Sequence, residues 1–126
     1  MGFTRYWKRV KEDYDDEILT KVKRIVGAAE EEGIKVCGWD GYGEPRIDLT
    51  EISLNGDAER GLSCETFYIE NGKSYGIYRE CCKTQRQPYD AVVNAILQVM
   101  EDAGILEAES DGECMEEEAK TLLGRA

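Results

Sequence analysis

Lys83, Thr84, Arg86 and Tyr89 stand in the run Cys81-Cys82-Lys83-Thr84-Gln85-Arg86-Gln87-Pro88-Tyr89-Asp90, the most chemically loaded stretch of the chain. Pro88 has the backbone angle favoured at the first position of a helix, so Lys83 and Arg86 are expected beside a helix N-terminus. The N–H groups and positive dipole end of such a terminus favour an anion, and a lysine charge with an arginine fork suits phosphate or carboxylate. The same residues have a structural use. Lys83 and Arg86 can pair with Glu80 or Asp90 and hold the turn, because exposed ion pairs worth under about 1 kcal/mol arise without a functional reason.

A second loaded stretch is Gly38-Trp39-Asp40-Gly41-Tyr42-Gly43. Glycines let backbone approach a ligand closely, and an aromatic ring stacks on a base or sugar. Neither a phosphate-binding G-x-x-x-x-G-K-[ST] loop nor a strand–G-x-G-x-x-G–helix unit is present, so the segment does not specify a nucleotide. A turn pinned by a buried tryptophan is the structural alternative. Tyr6 and Trp7, near the N-terminus, carry the same choice between core packing and ligand stacking. Tyr6, Trp7, Trp39, Asp40, Lys83, Thr84, Arg86 and Tyr89 together are the expected site for a small anionic, nucleotide-like ligand.

Other chemistries are narrower. The chain has no histidine and no C-x-x-C pair, which removes histidine catalysis and disfavours a zinc site; no metal and no cofactor is expected. Cys81 or Cys82 is a candidate reactive thiol, since Lys83 and a helix N-terminus both lower a thiolate pKa, although the usual histidine partner is missing. The carboxylates between positions 107 and 118 fit no calcium-loop spacing and read as a solvated acidic face. A small hydrolase acting on a phosphorylated substrate would use Asp40, Asp90 or Asp111 with Lys83 and Arg86, two carboxylates lying within about 10 Å of those cations.

The elements that must position these groups follow from periodicity. Carboxylates from position 12 to 17 cap a helix with Ile18, Val22, Ile25 and Ala29 on one face and Gly33 beyond its end. A second helix starts at Pro88, carries Tyr89, Val92, Val93, Ile96 and Met100, and ends at Gly104. Strands are expected over 3–10, as a short strand or ordered arm, and over 34–37 and 47–54, the last with a bulge or bend near Thr50 and Glu51, where the apolar phase shifts between Leu49 and Ile52. Segments 65–70 and 75–80 form a hairpin, with Ile69 facing Tyr75, Phe67 facing Ile77 and Glu65 facing Arg79. An edge strand near 105–108 and a short acidic helix after Ser110-Asp111-Gly112, with Met115, Ala119 and Leu122 as its apolar stripe, complete the order. The class is α+β: a single domain with an antiparallel sheet of about five strands, two main helices and a short C-terminal helix.

Among 126 residues, 27 acidic against 16 basic side chains give a formal charge of −11, which repels nucleic-acid polymers and anionic membranes. The same charge suits a protein-interaction factor that meets a basic surface and inhibits a host enzyme. Five cysteines, an odd number with two adjacent, fit a reducing compartment. No window approaches the roughly 20 apolar residues of a membrane span, and a soluble, cytoplasmic protein is expected. A homo-oligomer is compatible with the sequence.

The motifs, taken in order, resemble those of a family of small uncharacterised proteins frequent in bacteriophage and prophage genomes. Here they are Phe3-Thr4-Arg5-Tyr6-Trp7, Trp39-Asp40-Gly41-Tyr42-Gly43-Glu44-Pro45, Ile52-Ser53-Leu54-Asn55-Gly56, Glu65-Thr66-Phe67, Cys82-Lys83-Thr84-Gln85-Arg86-Gln87-Pro88-Tyr89-Asp90 and Ser110-Asp111-Gly112. Gln87 stands where the family pattern has a lysine before the proline. The resemblance implies a viral or mobile-element accessory protein, working in the host cytoplasm, and implies no activity. The binding-module reading, non-enzymatic, is the leading expectation; the host-enzyme inhibitor and the hydrolase are its rivals.

Overall fold

The computed structural model describes residues 4–10, 13–72, 80–85, 87–110 and 116–126. Helix α1, Asp16–Glu31, starts where Asp15 caps it: the carboxylate accepts the Ile18 N–H, and Asp16 and Glu17 complement the first turn. Ile18, Leu19, Val22, Ile25, Val26 and Ala29 are buried at helical spacing, and Gly33 at φ +84° turns the chain away. Helix α2, Asp90–Asp102, follows Pro88 and is nearly all buried, with Val92, Val93, Ile96 and Met100 in the core and Gly104 at φ +77° past its end.

Strands do not join into one sheet of about five. Strand β1 (Thr4–Arg9) is the centre of an antiparallel three-stranded sheet, between β5 (Glu80–Lys83) and β6 (Leu106–Ser110). A second antiparallel sheet has the order β2 (Arg46–Ile47), β3 (Glu51–Leu54), β4 (Phe67–Glu70). The division arises because β5 pairs with the N-terminal strand, Tyr6 opposite Cys81 and Thr4 opposite Lys83, while β4 pairs with β3. Tyr75, Ile77 and Arg79, expected opposite β4, lie outside the described residues.

Of the bulge or bend expected before Ile52, the structure has the bend, over 48–50, and it closes a hairpin between β2 and β3. Asp48 accepts the N–H groups of Thr50 and Glu51 on its carboxylate and donates its own N–H to the Glu51 carbonyl. That side-chain clamp reverses the chain, so Ile47 faces Ile52 across β2 and β3. The expected strand at 34–37 is reduced to one bridge between Cys37 and Asn55.

The two sheets meet where the Trp7 and Phe67 rings lie 5.2 Å apart between centroids, tilted by 56°. Both sheets contribute to one buried cluster with α1, α2 and the short helix α3, Glu116–Leu123, which adds Ala119 and Leu122. Asp111, Gly112 and Met115 lie outside the described residues. No helix among the described residues is long and apolar enough to cross a membrane.

Candidate functional site

Alternation along β1 decides the fate of the first expected site. Arg5, Trp7 and Arg9 are buried on one face, while half-buried Tyr6 and exposed Lys8 occupy the other. Arg5 therefore points inward and forms a two-pronged ion pair with Asp90, Nε to Oδ1 and Nη2 to Oδ2, both at 2.8 Å. The Thr84 hydroxyl donates to Asp90 Oδ1 at 2.8 Å, and Thr84 and Asp90 are both fully buried. Asp90 is the first residue of α2, so its own carboxylate sits where an external anion was expected. The backbone there is also occupied: the N–H groups of Gln87, Asp90 and Ala91 bond to the carbonyls of Thr84, Gln87 and Pro88. Arg86 lies outside the described residues.

Tyr89 and Trp7 are core residues, each 1% exposed. Tyr89 donates its hydroxyl to the Glu65 carbonyl at 2.6 Å, and the Cys82 thiol approaches the same oxygen at 3.5 Å. Burial, reinforced by Glu65, pushes the Cys82 thiol far up, so Cys82 does not offer the thiolate considered from sequence; Cys81, on the outer face opposite Tyr6, is exposed. Burial likewise pushes the Tyr89 phenol well above its ordinary range.

Glu65, expected only to face Arg79 across a hairpin, is a site residue that sequence reasoning did not assign; Arg79 lies outside the described residues. The Glu65 N–H donates to the Lys83 carbonyl at 3.0 Å, and its carboxylate accepts the Lys83 N–H at 2.7 Å. Its neighbour Thr66 donates to the Trp39 carbonyl at 2.5 Å. Segment 64–66 thus connects the 83–89 turn with the tryptophan loop, which β1 does not reach with both aromatics, because Tyr6 and Trp7 point to opposite faces.

The 38–43 loop is the feature left facing solvent. Trp39 is 67% exposed and Tyr42 57%, whereas their backbone is held from several directions. The Gly38 N–H bonds to the Tyr42 and Gly43 carbonyls, the Gly41 N–H to the Gly38 carbonyl, and the Ala58 N–H to the Gly41 carbonyl. Asp40 accepts the Tyr42 N–H, and Asn55, buried, donates its side-chain amide to the Trp39 and Cys64 carbonyls. Gly41 is required at φ +87°: a Cβ there would lie 2.6 Å from the Ala58 Cβ and 3.2 Å from the Gly56 carbonyl oxygen. The expectation of a turn pinned by a buried tryptophan is therefore inverted, since the turn is pinned by its backbone and the ring is outside.

The surroundings of this loop are acidic. Asp40, Glu44, Glu59 and Glu65 are exposed and, among the described residues, take part in no ion pair, whereas Arg60 is paired with Asp57 at 3.6 Å and Arg46 with Asp48 and Glu51. The Cys37 thiol, at the foot of the loop, is pushed up first by burial and then by Asp57, with Glu44 and Glu59 adding to the effect against Lys35. No group of three or more carboxylates and cysteines among the described residues is arranged to hold a metal ion.

Of the eight expected residues, Trp7, Thr84 and Tyr89 belong to the framework, Tyr6 lies half-buried beside Cys81, Trp39, Asp40 and Lys83 are exposed, and Arg86 is outside the described residues. The chain matches no known family model, no curated protein and no solved structure.

Proposed function

We propose that the chain is a non-enzymatic recognition module that docks onto another protein through the 38–43 loop. One observation carries this reading: two large aromatic side chains, Trp39 and Tyr42, stand in water on a loop whose backbone is fixed by hydrogen bonds at both ends and in the middle. Tryptophan and tyrosine are the favoured anchors of protein interfaces, and a loop already ordered loses little entropy when it docks. The resemblance to small phage-borne proteins supports a host protein as the partner and an accessory role, such as inhibition of a host enzyme.

The rival reading is a small anionic ligand near Lys83, favoured by the exposure of that lysine and its connection through Glu65 and Thr66 to the Trp39 loop. Against it stands the occupation of the helix terminus by Asp90. A hydrolase loses Asp90 as an acid or base for the same reason, since Arg5 and Thr84 already engage both of its oxygens.

The test is capture from bacterial lysate by the wild type and by the Trp39→Ala, Tyr42→Ala double variant, followed by titration of the purified captured protein. A partner held by the wild type and lost by the double variant is expected, with no heat from inorganic phosphate or from cyclic and linear nucleotides. A partner retained by the double variant removes the loop from the account. Heat from a phosphorylated ligand that Lys83→Ala abolishes favours the rival.

A further inference from the structure

Resting on the reading of the 38–43 loop as a docking surface, we infer that the partner presents a cationic side chain, an arginine or lysine in a basic segment, which lies against Trp39 and Tyr42. Four exposed carboxylates belong to the loop or to segments bonded to it. Asp40 is in the loop itself. Glu44 is fixed next to it, because its carbonyl oxygen lies 3.0 Å from where a Gly38 Cβ would be. Glu59 follows Ala58, whose N–H bonds to the Gly41 carbonyl, and Glu65 precedes Thr66, whose hydroxyl bonds to the Trp39 carbonyl. None of the four is in an ion pair among the described residues, while Arg46 and Arg60, the two cations of the 39–66 stretch, are both engaged with other carboxylates.

Charge complementarity therefore selects the occupant. An acidic or phosphorylated partner would meet repulsion from these carboxylates at a separation shorter than the screening length of roughly 8 Å in physiological salt. A purely apolar partner would use the rings and make no use of the four carboxylates. A guanidinium or ammonium group uses both: the ring faces attract it through their quadrupole, and the carboxylates attract it through charge. Arginine is the better fit, because its plane stacks on a ring while its edge donates to carboxylates.

The probes are capped hexa-arginine, hexalysine, hexaglutamate and a neutral glycine-serine hexapeptide, read by Trp39 fluorescence, with Trp7 as the buried constant background. Two triple variants carry the same change in charge: Glu44→Gln, Glu59→Gln, Glu65→Gln at the loop, and Glu17→Gln, Glu107→Gln, Glu118→Gln at exposed positions elsewhere. Hexa-arginine is expected to bind the wild type more tightly than hexalysine does, and hexaglutamate and the neutral peptide not to bind. Trp39→Ala, followed by calorimetry, is expected to weaken hexa-arginine about two- to fivefold, the size of an exposed cation–π contact. The loop triple variant is expected to weaken it further than the control triple variant does. Equal weakening by the two triple variants, or no effect of Trp39→Ala, would assign the attraction to overall charge and overturn the inference. If no basic peptide binds, while a captured protein is still lost with Trp39→Ala, Tyr42→Ala, the cationic partner is wrong and the docking loop stands.

Discussion

Removing the Asp90 carboxylate tests whether that residue is framework or an unused functional group. Asp90→Ala removes the two-pronged carboxylate contact from the Arg5 guanidinium, which is 4% exposed, and the Asp90 acceptor from the buried Thr84 hydroxyl. Breaking one side of a buried pair destabilises by about 3–5 kcal/mol, because the remaining charge stays desolvated. That is a large part of a typical stability of about 5–15 kcal/mol. At an unfolding entropy of about 2.1 cal/mol/K per residue, a loss of about 4 kcal/mol over 126 residues lowers Tm by about 15 °C. Urea unfolding followed by tryptophan fluorescence and circular dichroism measures it. Arg5→Leu, Asp90→Ala is expected to be less destabilised than the sum of the single variants by about 2 kcal/mol or more, since the double change removes both charges of the buried pair together. A loss below about 1 kcal/mol in Asp90→Ala, or strict additivity in the cycle, would refute the buried-pair reasoning.

Three further outcomes follow from the same geometry. Trp7→Ala is expected to lose about 3–5 kcal/mol in urea unfolding, and Trp39→Ala to stay within about 0.5 kcal/mol of the wild type, because one ring is core and the other is in water. Gly41→Ala, which adds a Cβ 2.6 Å from Ala58 at φ +87°, is expected to weaken partner binding and stability more than Gly43→Ala, where φ is +68° but the space is open; equal effects in titration would mean that loop geometry does not matter. The pH dependence concerns Asp48, whose carboxyl is held down to about 2, chiefly by the Arg46 hydrogen bond and then by the Glu51 N–H. A folded pKa below the ordinary 3.8 means that its contribution is present above about pH 4 and lost as pH falls toward about 2. Acid unfolding of Asp48→Ala should therefore show a shallower loss of stability across that window than the wild type.

Local signals were legible and distant partnerships were not. The apolar spacing of α1 and α2 and the Asp15 cap of α1 declare both helices, because every group involved lies within a few residues along the chain, although α2 begins at Asp90 and not at Pro88. Strand segments were also visible, but a single sheet was the wrong assembly: nothing near Cys82 announces that its strand leaves β4 for β1, 77 positions away from its partner Arg5. Arg5 could have been found, since strand alternation puts it on the face of Trp7, and a cation sharing a face with a buried tryptophan needs a carboxylate. The exposure of Trp39 could not have been found. It depends on Asn55 and Thr66, 16 and 27 positions on, holding its carbonyl while the ring is turned out. Tyr42, between two glycines, was visible as a turn residue only.

The docking surface is tested most directly by titrating the purified captured protein, in a calorimeter and at physiological salt, into wild type, Trp39→Ala and Tyr42→Ala. Interface anchors of this kind lose about 2 kcal/mol or more on truncation, so Kd is expected to rise by about thirtyfold for Trp39→Ala, with the unfolding midpoint unchanged. An unchanged Kd in both variants would contradict a docking role for the loop.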